Sequence, residues 1–244
     1  SNLQPAAIAS LDAGQLGGVS VAYNGFLSNF SSAQLAAISP AALAGVTASQ
    51  IAGIGGVYYP MQAATIAGLG TNITGLSSSA LAAIGGYNGN ASYNIVLSPA
   101  QVSALGSRVG ELSTAAVANM GAAQVASIAP ASIAALTAAQ LGVMSGVAAD
   151  GLSGEQVTAL GAKVASLSPQ AVASLDAVQV DVLSASQVTA LGVKVGSLSA
   201  QAVQSLDATQ VDGLSPAQVG ALGANVSNLT PAAIASLDAG QLGG

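Results

Sequence analysis

One 31-residue phrase occurs three times in succession at the end of the chain. The copies are LSGEQVTALGAKVASLSPQAVASLDAVQVDV (152–182), LSASQVTALGVKVGSLSAQAVQSLDATQVDG (183–213) and LSPAQVGALGANVSNLTPAAIASLDAGQLGG (214–244). Copies at a constant spacing are typical of solenoids, in which each copy buries its apolar residues against the next. The chain is therefore predicted to be a solenoid with one coil per 31-residue copy.

Each copy consists of three eight-residue modules and one seven-residue module. An eight-residue module has an apolar residue at position 1, Ser, Thr or Asp at position 2, Gln or Ala at position 5 and an aliphatic residue at position 6. In the module that begins at Leu214, Ser215 suits a helix N-cap, Pro216 suits the first helical position and Gln218 can complete a capping box. Leu214 and Val219 then stand at the two ends of a hydrophobic staple. Each eight-residue module is predicted to begin a short helix.

The seven-residue module lacks an N-cap residue and has its two apolar residues four apart. In the first copy, the apolar residues at i, i+3, i+7 and i+10 fall on one helical face; they are Val157, Leu160, Val164 and Leu167. The pattern predicts one helix of about four turns over 153–165, followed by short helices that begin at Ser168 and Asp176. Gly161 lies inside the long helix and costs about 1 kcal/mol relative to alanine, so a kink or an early break there is an open alternative.

The predicted fold is an all-α solenoid of short capped helices, with about 31 residues per coil. The alternative is a β-solenoid, whose strands would place residues five apart on opposite faces. Abundant Ala and Gln and the capping residues favour helices over strands. Because helix nucleation is unfavourable, helices this short are unstable alone, and stacking of the coils must stabilise them.

The sequence divides into three segments. Residues 1–18 recur as residues 227–244 with a single difference in eighteen positions. We expect the chain to be a window on a longer protein of tandem blocks, with 1–18 the end of a preceding block. The alternative is that the two segments are similar only because both happen to use a sequence that is common in this solenoid. Residues 19–96 are predicted to form an irregular solenoid with aromatic-bearing insertions, and residues 97–244 a regular helical solenoid.

The aromatic residues are confined to the irregular segment, most of them in the stretches 19–29, 54–60 and 84–96. Phe30 occupies position 1 of a module and is predicted to lie in the core. Loops that carry Tyr, Asn and Gly are typical of interfaces, because Tyr offers a large contact area and a hydrogen bond. The alternative is that the rings cover an irregular part of the core. The candidate assembly or ligand interface comprises Tyr23, Phe26, Tyr58, Tyr59, Tyr87 and Tyr93.

The charge content excludes some classes of partner. Charged residues are 5% of the chain, against about 25% in ordinary soluble domains. Three cationic residues and a net charge of −6 argue against nucleic acid, whose phosphates are bound by Lys and Arg. No apolar run approaches the roughly 20 residues of a membrane span. A weakly charged surface protects a monomer poorly against association, so we expect neighbouring molecules to cover much of it.

The repeats align two sets of charged residues. The cationic set is Arg108, Lys163 and Lys194, and the acidic set is Asp176, Asp207 and Asp238. With one copy per coil, each set would stack into a column. The acidic column lacks the clustered oxygens that calcium prefers, and carboxylates one coil apart are more typical of helix caps or solvated charges.

No sequence pattern predicts catalysis. The chain has no Cys and no His, which excludes zinc or haem ligation by these residues. A serine nucleophile needs an activating base; Lys163 near Ser166 would be a Ser–Lys pair, but such neighbours are common on helix surfaces. We predict neither an enzyme nor a cofactor.

The recurrent Leu-Ser/Thr-x-x-Gln-Val-x-x-Leu phrase, as in LSGEQVTAL (152–160), resembles the low-charge repeats of giant secreted surface proteins and adhesins of Gram-negative bacteria. The resemblance covers nearly the whole chain outside the three irregular stretches. It implies an extracellular or cell-surface, non-catalytic scaffold. The helix-start phrase is also similar to that of transcription-activator-like DNA-binding repeats, but no base-reading pair recurs here and the basic residues are missing.

Two functions follow as hypotheses. The first is a structural protein whose copies self-assemble into an extracellular filament or sheath. The second is an adhesin stalk whose Tyr/Asn/Gly loops bind a glycan or a protein. Neither hypothesis involves nucleic acid, a membrane span or a cofactor.

Overall fold

The computed structural model describes residues 3–20, 26–54, 60–85 and 97–243. These residues form short α-helices and 3₁₀ segments and contain no β-strand. The prediction of an all-α solenoid is confirmed, and the alternative of a β-solenoid is wrong.

Two compact units make up the chain, Ser1–Met120 and Gly121–Gly244. In the N-terminal unit the α-helices are α1 Pro5–Ala9, α2 Ala13–Gly17, α3 Ser32–Ala37, α4 Pro40–Leu43, α5 Ala48–Gly53, α6 Pro60–Gly68, α7 Ser78–Ala82, α8 Pro99–Leu105 and α9 Thr114–Ala118. Its 3₁₀ segments are η1 Phe26–Asn29, η2 Gly70–Gly75 and η3 Gly106–Glu111. The division of the chain into segments 1–18, 19–96 and 97–244 stays a prediction.

The C-terminal unit is the more regular of the two in sequence. Its α-helices are α10 Ala122–Ala126, α11 Pro130–Ile133, α12 Ala138–Gly142, α13 Gly146–Asp150, α14 Gly154–Leu160, α15 Pro169–Ala173, α16 Ala177–Asp181, α17 Ala185–Ala190, α18 Ala200–Gln204, α19 Ala208–Asp212, α20 Pro216–Leu222, α21 Pro231–Ala235 and α22 Ala239–Leu242. Its 3₁₀ segments are η4 Gly161–Ser166, η5 Gly192–Ser197 and η6 Gly223–Asn228.

An eight-residue module folds as one short helix with a capped start. In the module of α19, the extended residue Asp207 is the N-cap, and its carboxylate accepts a hydrogen bond from the Gln210 backbone N–H. Leu206 at position 1 and Val211 at position 6 are buried. The capping residue thus fixes the start of the helix, and the two aliphatic residues anchor the module in the core.

The seven-residue module interrupts the helix that the sequence predicts over 153–165. Helix α14 ends at Leu160, and Gly161 adopts a φ of +53° at the start of η4. The continuous helix is therefore wrong, and the alternative of a break at Gly161 is correct. A backbone conformation in such a sparsely populated region costs about 1–3 kcal/mol for a residue with a Cβ, which explains the glycine. The helices predicted to begin at Ser168 and Asp176 are confirmed, since these residues are the N-caps of α15 and α16.

Each coil contains three modules, whereas one 31-residue copy contains four. In the C-terminal unit α17 packs on η4 and α20 packs on η5, and in the N-terminal unit α3 packs on α1 and α4 packs on α2. In each pair the partners are three modules apart. Three regular modules contain 23 or 24 residues, depending on whether a seven-residue module is among them. The two N-terminal pairs are 27 residues apart, because the irregular stretch 19–29 takes the place of one module. The prediction of about 31 residues per coil is therefore wrong.

The core explains why three modules close a coil. Every module brings aliphatic side chains to the centre, so a module of either type can lie on any other. Three short sides enclose a volume that Leu and Val side chains fill, as the burial of Leu206, Val211 and Leu214 illustrates. A fourth side would leave a central void, which is costly because protein interiors are close-packed.

Small residues are needed where successive coils meet backbone to backbone. A Cβ added at Gly151, at position 8 of its module, would lie 2.3 Å from the carbonyl oxygen of Ala122, at position 3 of the module one coil earlier. Where position 8 carries the larger Val182, position 3 of the contacting module is Gly154. The small residues of the repeat therefore set the distance between coils.

Replacing Gly161 with alanine is expected to lower the free energy of unfolding by about 1–3 kcal/mol. No atom lies within 4 Å of the added Cβ, so the loss comes from the positive φ alone. Gly220 is the matched control, because it has equally open surroundings inside α20. Gly220→Ala should raise stability by about 0.5–1 kcal/mol. Urea unfolding followed by circular dichroism measures both, and effects of the same sign would contradict the assigned backbone.

Candidate functional site

Buried glutamine side chains join each coil to the preceding one. The Gln210 N–H donates to Asp207 Oδ1 at 2.7 Å, and the Asp207 N–H donates to Gln210 Oε1 at 2.8 Å. The Gln210 Nε2 group then donates to the carbonyl oxygens of Val180 at 3.1 Å and Leu183 at 2.7 Å, both in the preceding coil. One side chain thus satisfies backbone groups of two coils. We call these side chains the glutamine rungs.

The rungs recur in both units. They are Gln34, Gln50 and Gln101 in the N-terminal unit, and Gln156, Gln179, Gln187, Gln210, Gln218 and Gln241 in the C-terminal unit. All of them are buried. The capping box predicted at Ser215 and Gln218 is confirmed.

Sequence reasoning found the capping half of each rung and missed the bond to the preceding coil. One signal was available. Glu completes a capping box as well as Gln does, yet position 5 of the eight-residue modules never carries Glu. A carboxylate has no N–H to donate to a carbonyl oxygen. Where position 5 carries a side chain long enough to complete a capping box, that side chain is always Gln, which indicates that its amide donor is used.

The cationic side chain of the seven-residue module also joins its coil to the preceding one. Lys163 Nζ donates to the carbonyl oxygens of Ala134 at 2.6 Å and Leu136 at 3.0 Å, both in the preceding coil. Equivalent bonds to preceding coils are made by Asn72, Arg108, Lys194 and Asn225. All three cationic side chains of the chain thus bond the backbone of a neighbouring coil.

Neither charged set forms the predicted column. Lys163 and Lys194 are four modules apart, whereas contacting modules are three apart. Each 31-residue step therefore moves the equivalent residue to the next side of the coil. The same holds for Asp176 and Asp207, whose carboxylates are helix N-caps. In the described residues no three acidic side chains are grouped closely enough to hold a metal ion.

Arg108 also forms an ion pair, with 2.7 Å between its guanidinium and Glu111 Oε2. The hydrogen bond from Arg108 lowers the pKa of Glu111, burial opposes this effect, and a hydrogen bond with Ser78 supports it. The stabilisation is therefore present above the unfolded-state pKa and is lost as the pH falls through the lowered folded-state value. Because the side chains are 29% and 32% exposed, solvent screening keeps the contribution small.

The predicted aromatic interface lies mainly outside the described residues. Phe26 is described: its half-buried ring meets the ring of Phe30 edge to face, with 4.7 Å between centroids and 72° between planes. Phe30 is buried, as predicted. Phe26 thus covers a core residue, which is the alternative that the sequence left open for the aromatic rings. The residues outside the described ranges are Tyr23, Tyr58, Tyr59, Tyr87 and Tyr93, and their role stays a prediction.

Large apolar side chains are exposed in two settings. On the sides of the C-terminal unit, the exposed residues include Val147, Val178 and Val193, each about two thirds exposed. At the first and last coils of the chain they are Leu3, Ile234 and Leu242. The acidic residues Asp150, Glu155, Asp181 and Asp212 are also exposed. The surface of the described chain is therefore mostly uncharged, with separate apolar and acidic side chains.

These contacts define the class of the protein: an all-α repeat solenoid whose successive coils are joined by polar side chains. No family model matches the chain, and no curated protein matches it. Within the described ranges, none of the helices has the length and apolar character needed to cross a membrane.

Gln210→Ala is expected to lower the free energy of unfolding by about 1–3 kcal/mol, because buried carbonyl oxygens of the preceding coil lose their donor. Gln201 is the matched control, since it lies exposed on α18, and Gln201→Ala should change stability by less than about 0.5 kcal/mol. Urea unfolding measures both. Equal losses would contradict the role of the rung.

Gln210→Glu separates the two roles of a rung, the capping of its own helix by Oε1 and the hydrogen bonds from Nε2 to the preceding coil. The carboxylate keeps the capping acceptor but faces the carbonyl oxygens of Val180 and Leu183, which raises its pKa in the folded state. The protonated acid can donate, so the variant should be most stable below the unfolded-state pKa of about 4.3. Its stability should then fall as the pH rises through the folded-state pKa. A variant whose stability relative to wild type does not change with pH would count against the Nε2 contacts.

Lys163→Met is expected to lower the free energy of unfolding by about 0.5–1.5 kcal/mol, the range for a typical hydrogen bond, because the lysine side chain is exposed to solvent. The partners of Lys163 are backbone carbonyls, so the loss should differ little between low and high salt. A surface ion pair would instead be screened by salt. Thermal unfolding at two salt concentrations checks this, and a loss that disappears in high salt would point to an ion pair.

Proposed function

We propose that the protein is a structural repeat protein whose copies self-assemble into an extracellular filament or sheath. The observation that carries the proposal is the exposure of large apolar side chains on a mostly uncharged surface, among them Val147, Val178 and Val193. Burial of such residues between molecules is favourable at about 25 cal/mol per Å² of apolar area. Self-association is therefore the function that this surface suits best.

The contacts of the cationic side chains support the same proposal. Lys163, Lys194 and Arg108 bond backbone carbonyls of their neighbouring coils, so they are engaged within the solenoid. Recognition of a phosphate or a polyanion rests on clustered cationic side chains, and the described surface offers none. With a net charge of −6 on 244 residues, repulsion between copies is weak and is screened within about 8 Å at physiological salt.

An adhesin stalk is the second candidate, and one packing contact favours it. Helices α5 and α7 pack on each other in successive coils. The stretches 55–59 and 86–96, which contain four of the five tyrosines, follow these helices in the sequence. The described helices that precede these two Tyr-bearing stretches thus lie in neighbouring coils, as a shared binding surface would require. The extracellular location in both candidates comes from the resemblance to surface proteins.

Self-assembly is tested by sedimentation velocity and electron microscopy of the purified 244-residue protein over a range of concentrations. We expect growth from monomer to long assemblies as the concentration rises. Raising the salt concentration should not reverse this growth, because apolar contacts are not screened. Protein that stays monomeric and forms no fibres at high concentration would contradict the proposal.

Replacing Tyr58, Tyr59, Tyr87 and Tyr93 together with Ser distinguishes the two candidates. If these tyrosines belong to the assembly interface of a self-assembling scaffold, the variant should lose assembly. If it is an adhesin stalk, the variant should keep the wild-type circular dichroism spectrum and lose binding to bacterial-surface or host glycans on an array. Binding that survives all four substitutions would exclude the stalk hypothesis in this form.

A further inference from the structure

All cationic residues of the chain occupy one position of the repeat. The sequence contains three Lys and Arg residues in 244. They are Arg108, Lys163 and Lys194, each at position 4 of a seven-residue module, and all lie within the described ranges. Trypsin-class endoproteases cleave after Lys or Arg, because their S1 pocket carries an Asp that binds the cationic side chain. These three positions are therefore the only ones at which such a protease could cut the chain.

The peptide bond that follows each cationic residue lies in a buried part of its coil. The next residue is a valine in every case, and each valine is 0% exposed; they are Val109, Val164 and Val195. Exposed loop tips are the preferred sites of proteolytic nicking, whereas these bonds lie within η3, η4 and η5. A protease binds its substrate as an extended segment, so each bond can be cut only after its valine leaves the core.

The segment around Lys163 is bonded to the coils on both sides of it. Lys163 Nζ donates to carbonyl oxygens of the preceding coil, as described above. From the following coil, Gln187 Nε2 donates to the carbonyl oxygens of Val157 at 2.9 Å and Gly161 at 3.4 Å. Helix α17, which contains Gln187, packs on η4. Opening of η4 must therefore break hydrogen bonds to two coils.

The segment around Lys194 has the same arrangement. Lys194 Nζ donates to the carbonyl oxygen of Leu167 in the preceding coil at 2.8 Å. Gln218 Nε2, in the following coil, donates to the carbonyl oxygen of Gly192, the first residue of η5, at 3.4 Å. The guanidinium of Arg108 likewise bonds carbonyl oxygens of its preceding coil. Each cationic residue is thus part of a segment that cannot leave the solenoid alone.

We propose that the folded chain offers no cleavable bond to trypsin-class endoproteases, because every Lys and Arg is fixed in a segment that its neighbouring coils hold in place. The local opening that cleavage requires breaks the bonds between coils and exposes a buried valine. The inference goes beyond the proposed self-assembly and does not depend on it. A scaffold outside the cell, as proposed above, meets secreted endoproteases, and this confinement of its cationic residues keeps it intact.

Digestion of the 244-residue protein with trypsin tests the inference. The protein is used at a concentration at which sedimentation velocity shows monomers, and cleavage after Lys163 is followed by mass spectrometry. The reference is a synthetic peptide of residues 158–168, which has the same cleavage site and is too short to form a stable helix alone. Cleavage of the folded chain should be at least about 100-fold slower than cleavage of the peptide. Comparable rates would overturn the inference.

Gln187→Ala tests whether the neighbouring coil protects the site. It removes the bonds from the following coil to the segment of Lys163, so cleavage there at high trypsin concentration should become about tenfold faster or more. Cleavage after Arg108, in the other unit, should change by less than about twofold. Gln201→Ala is the matched control at an exposed glutamine and should change neither rate. Circular dichroism checks that both variants are folded. Equal acceleration at Lys163 and Arg108 would overturn protection of each site by its own neighbouring coils.

The outcomes separate this inference from the proposed function. Protein that resists trypsin but never assembles overturns self-assembly and leaves the protection standing. Protein that assembles, but whose monomers are cut after Lys163 as fast as the peptide is, overturns the protection alone.

Discussion

The structure depends on one interaction, the glutamine rung. A helix of five residues consists almost entirely of ends, and helix ends leave backbone N–H and C=O groups without partners inside the helix. A solenoid of such helices would bury many of these groups between its coils. The rung solves both problems with one side chain, because its oxygen caps its own helix and its amide nitrogen donates to the preceding coil. Among the described residues, no buried side-chain polar atom lacks a hydrogen-bond partner.

The sequence repeat and the coil have different lengths, and this mismatch distributes side chains around the solenoid. A four-module repeat on a three-module coil moves each equivalent residue to the next side of the coil with every copy. Lys163 and Lys194 therefore stand on different sides, although each makes the same kind of bond to the coil before it. Like charges are kept apart in this way. Each copy of the repeat therefore presents its equivalent side chains on a different side of the coil. This arrangement suits association with other molecules in more than one direction.

Features that depend on residues within one module could be predicted from the sequence, whereas features that depend on how modules close a coil could not. The N-caps, the short helices and the core position of Phe30 follow from residue types within one module. The number of modules per coil depends on how side chains from distant modules fill one core, and no pattern within a module records it. The break at Gly161 was only an alternative because its apolar neighbours also fit a continuous helix. The inter-coil bonds of Gln210 and Lys163 were missed because their acceptors are backbone carbonyls, which every residue supplies.

The three-module coil held by rungs is the central claim, and one pair of double variants tests it. A Cβ at Gly154 would lie 3.9 Å from the Cβ of Val182, which suits a disulfide. In a coil of 31 residues Gly154 would instead face Ala185, its equivalent in the next copy. Under mild oxidation, the account predicts an intramolecular disulfide in Gly154→Cys/Val182→Cys and none in Gly154→Cys/Ala185→Cys. A disulfide that forms only in the second variant would contradict it.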